Sequence, residues 1–228
     1  MVKLDPGVIV FDMDGVLLDV SESYRETVAQ TIEHFSGVKI TREEIQEYKN
    51  RGGFNNDWLL CHTHVTKHGV EVAYQEVIDY FNHLFFEQGL INRERWLPRP
   101  GFFERLAERY DLAIFTGRNM LEATTTLDRQ GCRHHFFLIT QDHVKNEKPH
   151  PEGLLQIAER HPGKELLYIG DTVDDARAAR AAGVTFIGIA GNENPGQQTL
   201  AALLTAEGAV AVLDNINNLE TLLCASPQ

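Results

Sequence analysis

Apolar residues run through this chain in two rhythms, and the change between them divides it. Val8, Ile9, Val10 and Phe11 form a short continuous apolar run closed by acids, the pattern of a strand buried on both faces. From there to about Gly89 the period is helical. Ser23-Tyr24-Arg25-Glu26 has capping-box spacing, with Val28, Ile32 and Phe35 on one face behind it, predicting a helix to about Phe35. Thr41-Arg42-Glu43-Glu44 repeats that spacing and predicts a short helix interrupted at Arg51-Gly52-Gly53. A polar loop, Gly52 to Asp57, separates it from a segment opened by Trp58, Leu59 and Leu60. After Gly69 a further helix carries Val72, Val77, Ile78, Phe81, Leu84 and Phe85.

Pro98-Arg99-Pro100-Gly101 is the strongest boundary signal. Beyond it strand, loop and helix alternate. The predicted strands are Leu112 to Phe115, Phe136 to Ile139, Leu166 to Ile169, Thr185 to Ile189 and Ala209 to Leu213. That alternation argues a doubly wound parallel α/β sheet with helices on both faces. The opening strand has no partner in the helical block, so it is expected to join this later sheet. The α/β core would comprise residues 1–19 and 90–228, with an all-helical insertion at 20–89 and a frayed tail at Ala225 to Gln228.

Composition narrows the partners. The 228 residues suffice for a sizeable core, and 43% hydrophobic with 24% charged residues is ordinary for a globular protein. No apolar run is long enough for a membrane span, and the start of the chain lacks a signal-peptide core, which predicts a cytoplasmic location. A formal charge of −12 disfavours nucleic acid and anionic membranes as partners, so an anionic substrate would need local cations. Cys61, Cys132 and Cys224 show no CxxC spacing and suggest neither a disulfide framework nor a zinc site.

Chemistry gathers at the predicted strand ends, where open α/β sheets place their ligand crevice. Asp12 and Asp14 close the first strand, and Gly15 permits a sharp turn. Thr116-Gly117-Arg118 follows the second, a hydroxyl with backbone amides suited to a phosphate or oxyanion. Lys148-Pro149 follows the third, where a solvated surface lysine is the plain alternative; Lys145 lies nearby without the proline context. Gly170-Asp171-Thr172-Val173-Asp174-Asp175 closes the fourth and leads into a helix from Ala176 to Ala182, which Asp174 or Asp175 could merely cap.

Taken together, DxDGVL, the threonine with its following glycine, K-P, and GDxxxD with a trailing AARAAG helix resemble the haloacid dehalogenase (HAD) superfamily over nearly all the α/β part. The resemblance implies a subfamily I, phosphoglycolate phosphatase-like layout, with a C1-type helical cap inserted between the first and second motifs. It implies an aspartate-nucleophile phosphohydrolase that uses magnesium and acts on a small phosphorylated metabolite. By that likeness Asp12 is the nucleophile and Asp14 the acid/base. Thr116 and Gly117 hold the phosphoryl oxygens, and Lys148 offsets charge between Asp12 and the substrate. The Asp12 carboxylate, the Asp14 main-chain carbonyl and Asp171 ligate the metal, with Asp175 in direct or supporting contact. Such a site needs its cations, because the carboxylates resist ionising together.

Relatives of this kind read their substrate in the cap. The candidate reader is the loop containing Arg51, Gly52, Gly53, Asn55 and Asn56; the plain alternative is that Asn56 or Asp57 caps the next helix and Arg51 is solvated. Arg118 stands where many relatives carry an asparagine, and either touches substrate or forms a surface salt bridge. His62, His64 and His68 lack a completing acid or cysteine and read as ordinary histidines, and Gly188 to Gly196 lacks a dinucleotide fingerprint. Three other readings stand beside a phosphatase. A β-phosphoglucomutase-like mutase would carry a histidine where this chain has Tyr24; a dehalogenase would not use Asp14; a non-catalytic binding protein would not need the full set.

Overall fold

A computed structural model describes residue 4, residues 6–192 and residues 194–224; the tail expected to fray, Ala225 to Gln228, lies outside them. β1 (Val8–Phe11) is buried along its whole length and leads through a tight turn into β2 (Leu18–Asp19). Four helices follow: α1 (Tyr24–Ser36), α2 (Arg42–Arg51), α3 (Asp57–Lys67) and α4 (Tyr74–Asn82), the last prolonged by a π-turn, His83–Glu87. The chain returns through a 3-10 turn, Leu90–Arg93, and β3 (Arg95–Trp96), which pairs antiparallel with β2. Strands of two residues are too short for any period to register, so this small ribbon at the neck of the insertion was not foreseen.

The rest alternates as expected: α5 (Phe102–Ala107), β4 (Asp111–Phe115), α6 (Met120–Arg129), β5 (Phe136–Ile139), α7 (Glu152–Arg160), β6 (Leu166–Gly170), α8 (Val173–Ala182), β7 (Thr185–Ile189), α9 (Gln197–Ala206), β8 (Ala211–Leu213) and α10 (Leu219–Cys224). The strands form one parallel sheet in the order β5-β4-β1-β6-β7-β8, so β1 is central. Alternate β1 side chains enter different layers. Val8 and Val10 pack with residues of α7, α8 and α9, while Ile9 and Phe11 join α5, α6 and α10 in a layer continuous with the apolar interior of the insertion. No helix among the described residues is long and apolar enough to cross a membrane.

Local capping follows the sequence at Thr41, whose hydroxyl accepts from the Glu44 amide while Glu44 accepts from the Thr41 amide. At Ser23 the expectation fails. Its backbone, at φ −112° and ψ −91°, is not extended, so the buried hydroxyl does not cap the helix end and has no hydrogen-bond partner among the described residues. β8 begins at Ala211 rather than Ala209, because the Ala209 amide is spent on the Leu204 carbonyl at the end of α9.

Candidate active site

Register assembles the site. Phe11 is level with Ile114 on β4 and Ile169 on β6, so Asp12, Thr116 and Asp171 emerge from neighbouring strand ends. Lys148, from the loop between β5 and α7, reaches in beneath them. Its Nζ donates to Asp12 Oδ1 at 2.8 Å and Asp175 Oδ1 at 2.7 Å, and lies 4.9 Å from the Phe115 ring centroid. Lys145 is exposed.

Asp175 is held from all sides. Thr172 caps α8 reciprocally with it: the Thr172 amide and hydroxyl donate to Oδ2 at 3.0 and 2.6 Å, while Tyr168 donates to Oδ1 at 2.6 Å. Burial opposes its charge, yet the Lys148 ammonium and these hydrogen bonds bring it below the usual carboxylate range. Asp12 differs. Burial outweighs Lys148 there, and the nearby carboxylates add to it, pushing Asp12 up to about 7. Asp171 is likewise raised well above the usual carboxylate range, by burial first and then by its acidic neighbours, and no donor among the described residues reaches its carboxylate.

Each of Asp12, Asp171 and Asp175 offers an oxygen, all within 4.8 Å of one another. Three hard oxygen donors, one of them the unpaired Asp171 carboxylate, suit a small divalent cation such as magnesium, and the Asp14 carbonyl takes no backbone hydrogen bond from the described residues. Gly15 keeps that space open: at φ 73°, any Cβ there would overlap the Asp171 carboxylate. The Asp14 carboxylate turns instead towards Arg118, whose Nη2 and Nε donate to Oδ1 at 2.5 and 3.0 Å. Arg118 is therefore no surface salt bridge; its side chain is 1% exposed and also pairs with Glu94. Thr116 is buried, accepts the Arg118 amide on its hydroxyl at 3.2 Å, and precedes Gly117, whose amide has no partner among the described residues.

The insertion forms the opposite wall, with a different cation from the one anticipated. Arg51 is exposed and pairs with Glu47, whereas buried Lys49 meets Asp57 at 2.7 Å and lines the pocket with Arg25, Trp58 and Tyr24. Lys49 shares the inward face of α2 with Ile45 and Tyr48, a spacing visible in the sequence. Asn55 lies against Gly117 across the pocket, and Asn56 both lines it and caps α3 by accepting from the Leu59 amide. Gly52 and Gly53 face α8 rather than the pocket: the Gly53 amide donates to the Asp174 carboxylate at 2.8 Å. Glu122 on α6, another residue not anticipated, lines the pocket with its carboxyl pushed up by burial to about 7. The three histidines bind no common centre; His62 and His68 contact the backbone carbonyls of Val72 and His64, and His64 contacts the Tyr48 hydroxyl.

A family model for haloacid dehalogenase-like hydrolases matches residues 6–183. The chain belongs to that family. Haloacid dehalogenase-like relatives include a phosphorylated carbohydrates phosphatase of Thermotoga maritima, 30% identical over 90% of this chain and 93% of its own length. A phosphoglycolate phosphatase of Vibrio parahaemolyticus is 23% identical over 99% of this chain and 100% of its own. A protein of Phytophthora nicotianae named imidazoleglycerol-phosphate dehydratase is 34% identical over 79% of this chain, which spans only 42% of that longer protein. Among solved structures, a conserved haloacid dehalogenase-like protein of unknown function from Agrobacterium tumefaciens superposes with a TM-score of 0.76 at 21% identity, covering 96% of this chain and 98% of its own. A provisionally assigned β-phosphoglucomutase from Thermotoga maritima gives 0.67 at 23% identity, covering 95% and 98%. At these identities the structural likeness speaks for the fold.

Proposed function

We propose that this haloacid dehalogenase-like hydrolase is a magnesium-dependent phosphatase that cleaves a small phosphorylated metabolite by way of a phosphorylated Asp12. The observation that carries the reading is Asp12 itself: a buried carboxylate at the end of the central strand, one oxygen held by Lys148, the other side facing a pocket shared with Asp14 and Asp171. Asp12, Asp171 and the Asp14 carbonyl would hold the magnesium ion, with Asp175 beside them; when bound, it supplies positive charge that lets the carboxylates ionise together beside a phosphate dianion.

The chain's own groups do the rest. Lys148 fixes Asp12 and offsets its charge, so that the free oxygen is ready to attack phosphorus in line. Thr116 and the Gly117 amide donate to the phosphoryl oxygens, whose charge grows as the bond to the leaving oxygen breaks. Asp14 gives that oxygen a proton, then takes one from the water that cleaves the aspartyl-phosphate. Arg25, Lys49, Asn55, Asn56 and Trp58 on the insertion contact the leaving group and select it. Tyr24, in place of the histidine expected of mutases, packs on Arg118 and offers no imidazole.

Phosphate release from 2-phosphoglycolate, sugar phosphates, imidazoleglycerol phosphate and p-nitrophenyl phosphate tests the reading, with magnesium and after chelation. We expect turnover that chelation removes and magnesium restores, and none in Asp12→Asn. Magnesium-dependent hydrolysis of p-nitrophenyl phosphate that survives in Asp12→Asn would sink the nucleophile assignment. Sugar-phosphate isomers in place of free phosphate would favour a mutase.

A further inference from the structure

Arg118 spends its whole guanidinium on groups that link the core to the insertion. Nε and Nη2 donate to Asp14 Oδ1 at 3.0 and 2.5 Å, Nη2 meets Glu94 Oε1 at 2.6 Å, and Nη1 donates to Thr126 Oγ1 at 3.0 Å. The Tyr24 ring covers its face, 4.9 Å from Cζ. Glu94, with a side chain 0% exposed, sits just before β3, where the chain returns from the insertion. Its other oxygen takes Arg129 Nη2 at 2.6 Å and Thr126 Oγ1 at 2.7 Å.

A planar fork hydrogen-bonded through all three of its nitrogens, paired with a buried carboxylate and stacked on one face has a single orientation, unlike a surface pair free to rotate. It engages mainly Oδ1 of Asp14. Oδ2 has only a longer contact, 3.3 Å from Nε, so it is the less engaged oxygen of a carboxylate that remains 29% exposed.

We propose that Arg118 is a positioning residue that fixes the Asp14 carboxyl plane with Oδ2 towards the leaving oxygen, and that Glu94 is the buried counter-charge holding Arg118 in place. The inference rests on Asp14 being the proton donor proposed above. In that step the Asp12 Oδ–phosphorus bond forms as the bond from phosphorus to the leaving oxygen breaks. The leaving oxygen keeps the electron pair and takes the proton, and Asp14 is left as a carboxylate. A misaimed Asp14 therefore harms esters whose alcohol must be protonated to depart and largely spares p-nitrophenolate, which departs without a proton.

The experiment compares kcat/KM, which covers phosphoenzyme formation, for glycerol 2-phosphate and p-nitrophenyl phosphate in wild type, Asp14→Asn, Arg118→Met, Arg118→Lys and Glu94→Gln. For Arg118→Met the expected loss is about 100-fold on the alkyl ester and under about 5-fold on the aryl ester. Arg118→Lys restores little, because an ammonium cannot span the same partners. Glu94→Gln shows the same split at about 10-fold on the alkyl ester. Equal losses on both esters in Arg118→Met would make Arg118 merely structural and overturn the proposal. Should Arg118→Met fail to fold, Glu94→Gln decides alone, an unchanged ratio between the esters counting against it. Equal losses in Asp14→Asn would instead overturn the proton-donor reading, a failure distinct from that of Arg118.

Discussion

Two buried cations serve the site, each set between two carboxylates, and they are built differently. Lys148 joins Asp12, just past the end of β1, and Asp175, in the first turn of α8 behind the adjacent strand β6, and all three side chains are 6% exposed or less. Arg118 joins Asp14 and Glu94, on the outgoing and returning limbs of the insertion, and Asp14 is part-exposed. The ammonium is a compact point charge, suited to balancing two acids that the sheet already places. The guanidinium is a rigid fork, suited to orienting an acid that the sheet does not place. One side thus stabilises charge wherever the insertion sits, whereas the other depends on how the insertion re-enters the core.

Replacing Lys148 probes the first side. Lys148→Met should lower kcat/KM by about 10³-fold on alkyl and aryl phosphates alike, since charge beside Asp12 matters for either leaving group. A loss confined to alkyl esters would erase the contrast with Arg118. Gly15→Ala is a smaller blow, to the turn on which Asp14 and Asp171 meet. The positive φ and the overlap with Asp171 should cost about 1–3 kcal/mol in urea unfolding and weaken the thermal shift on adding magnesium. An unchanged midpoint and shift would show that the turn tolerates a side chain.

The smallest effect concerns pH on the Arg118 side. Glu122 titrates near 7 when folded against 4.5 ordinarily, chiefly through burial. The folded protein therefore holds this proton more tightly than the unfolded chain. Its contribution is fully present below about pH 4.5 and is lost as pH rises through about 7. Glu122→Gln, which can still accept the Asn119 amide, should be more stable than wild type at pH 8 by on the order of 1–2 kcal/mol, with the gap closing below pH 5. Thermal melts across that range check it; a constant gap would mean that Glu122 is charged throughout.

Much of this was legible before the structure. The apolar run ending in Asp12, the Thr41 capping box and the strand-helix alternation depend on local sterics and period alone, and the folded chain has them where the sequence places them. The choice of Lys49 over Arg51 was within reach. Residues two apart on a helix point to nearly opposite sides, and Ile45 with Tyr48 marks which side is buried. Ser23 misled because a capping pattern states which residues are available and not which backbone angles they adopt.

By itself the sequence determined the order of the main-sheet strands along the chain, the family and the residues at the four strand ends, because each depends on neighbours a few positions apart. Only the tertiary structure decided what those residues touch. Parallel register brought Asp12, Asp171 and Asp175 within 4.8 Å of one another. The long excursion through the insertion carried Glu94 back to meet Arg118, and Lys148 reached Asp12 and Asp175 from the loop between β5 and α7. No local rule encodes such contacts, since they form only when segments distant in sequence pack and the buried charges take the partners that folding leaves within reach.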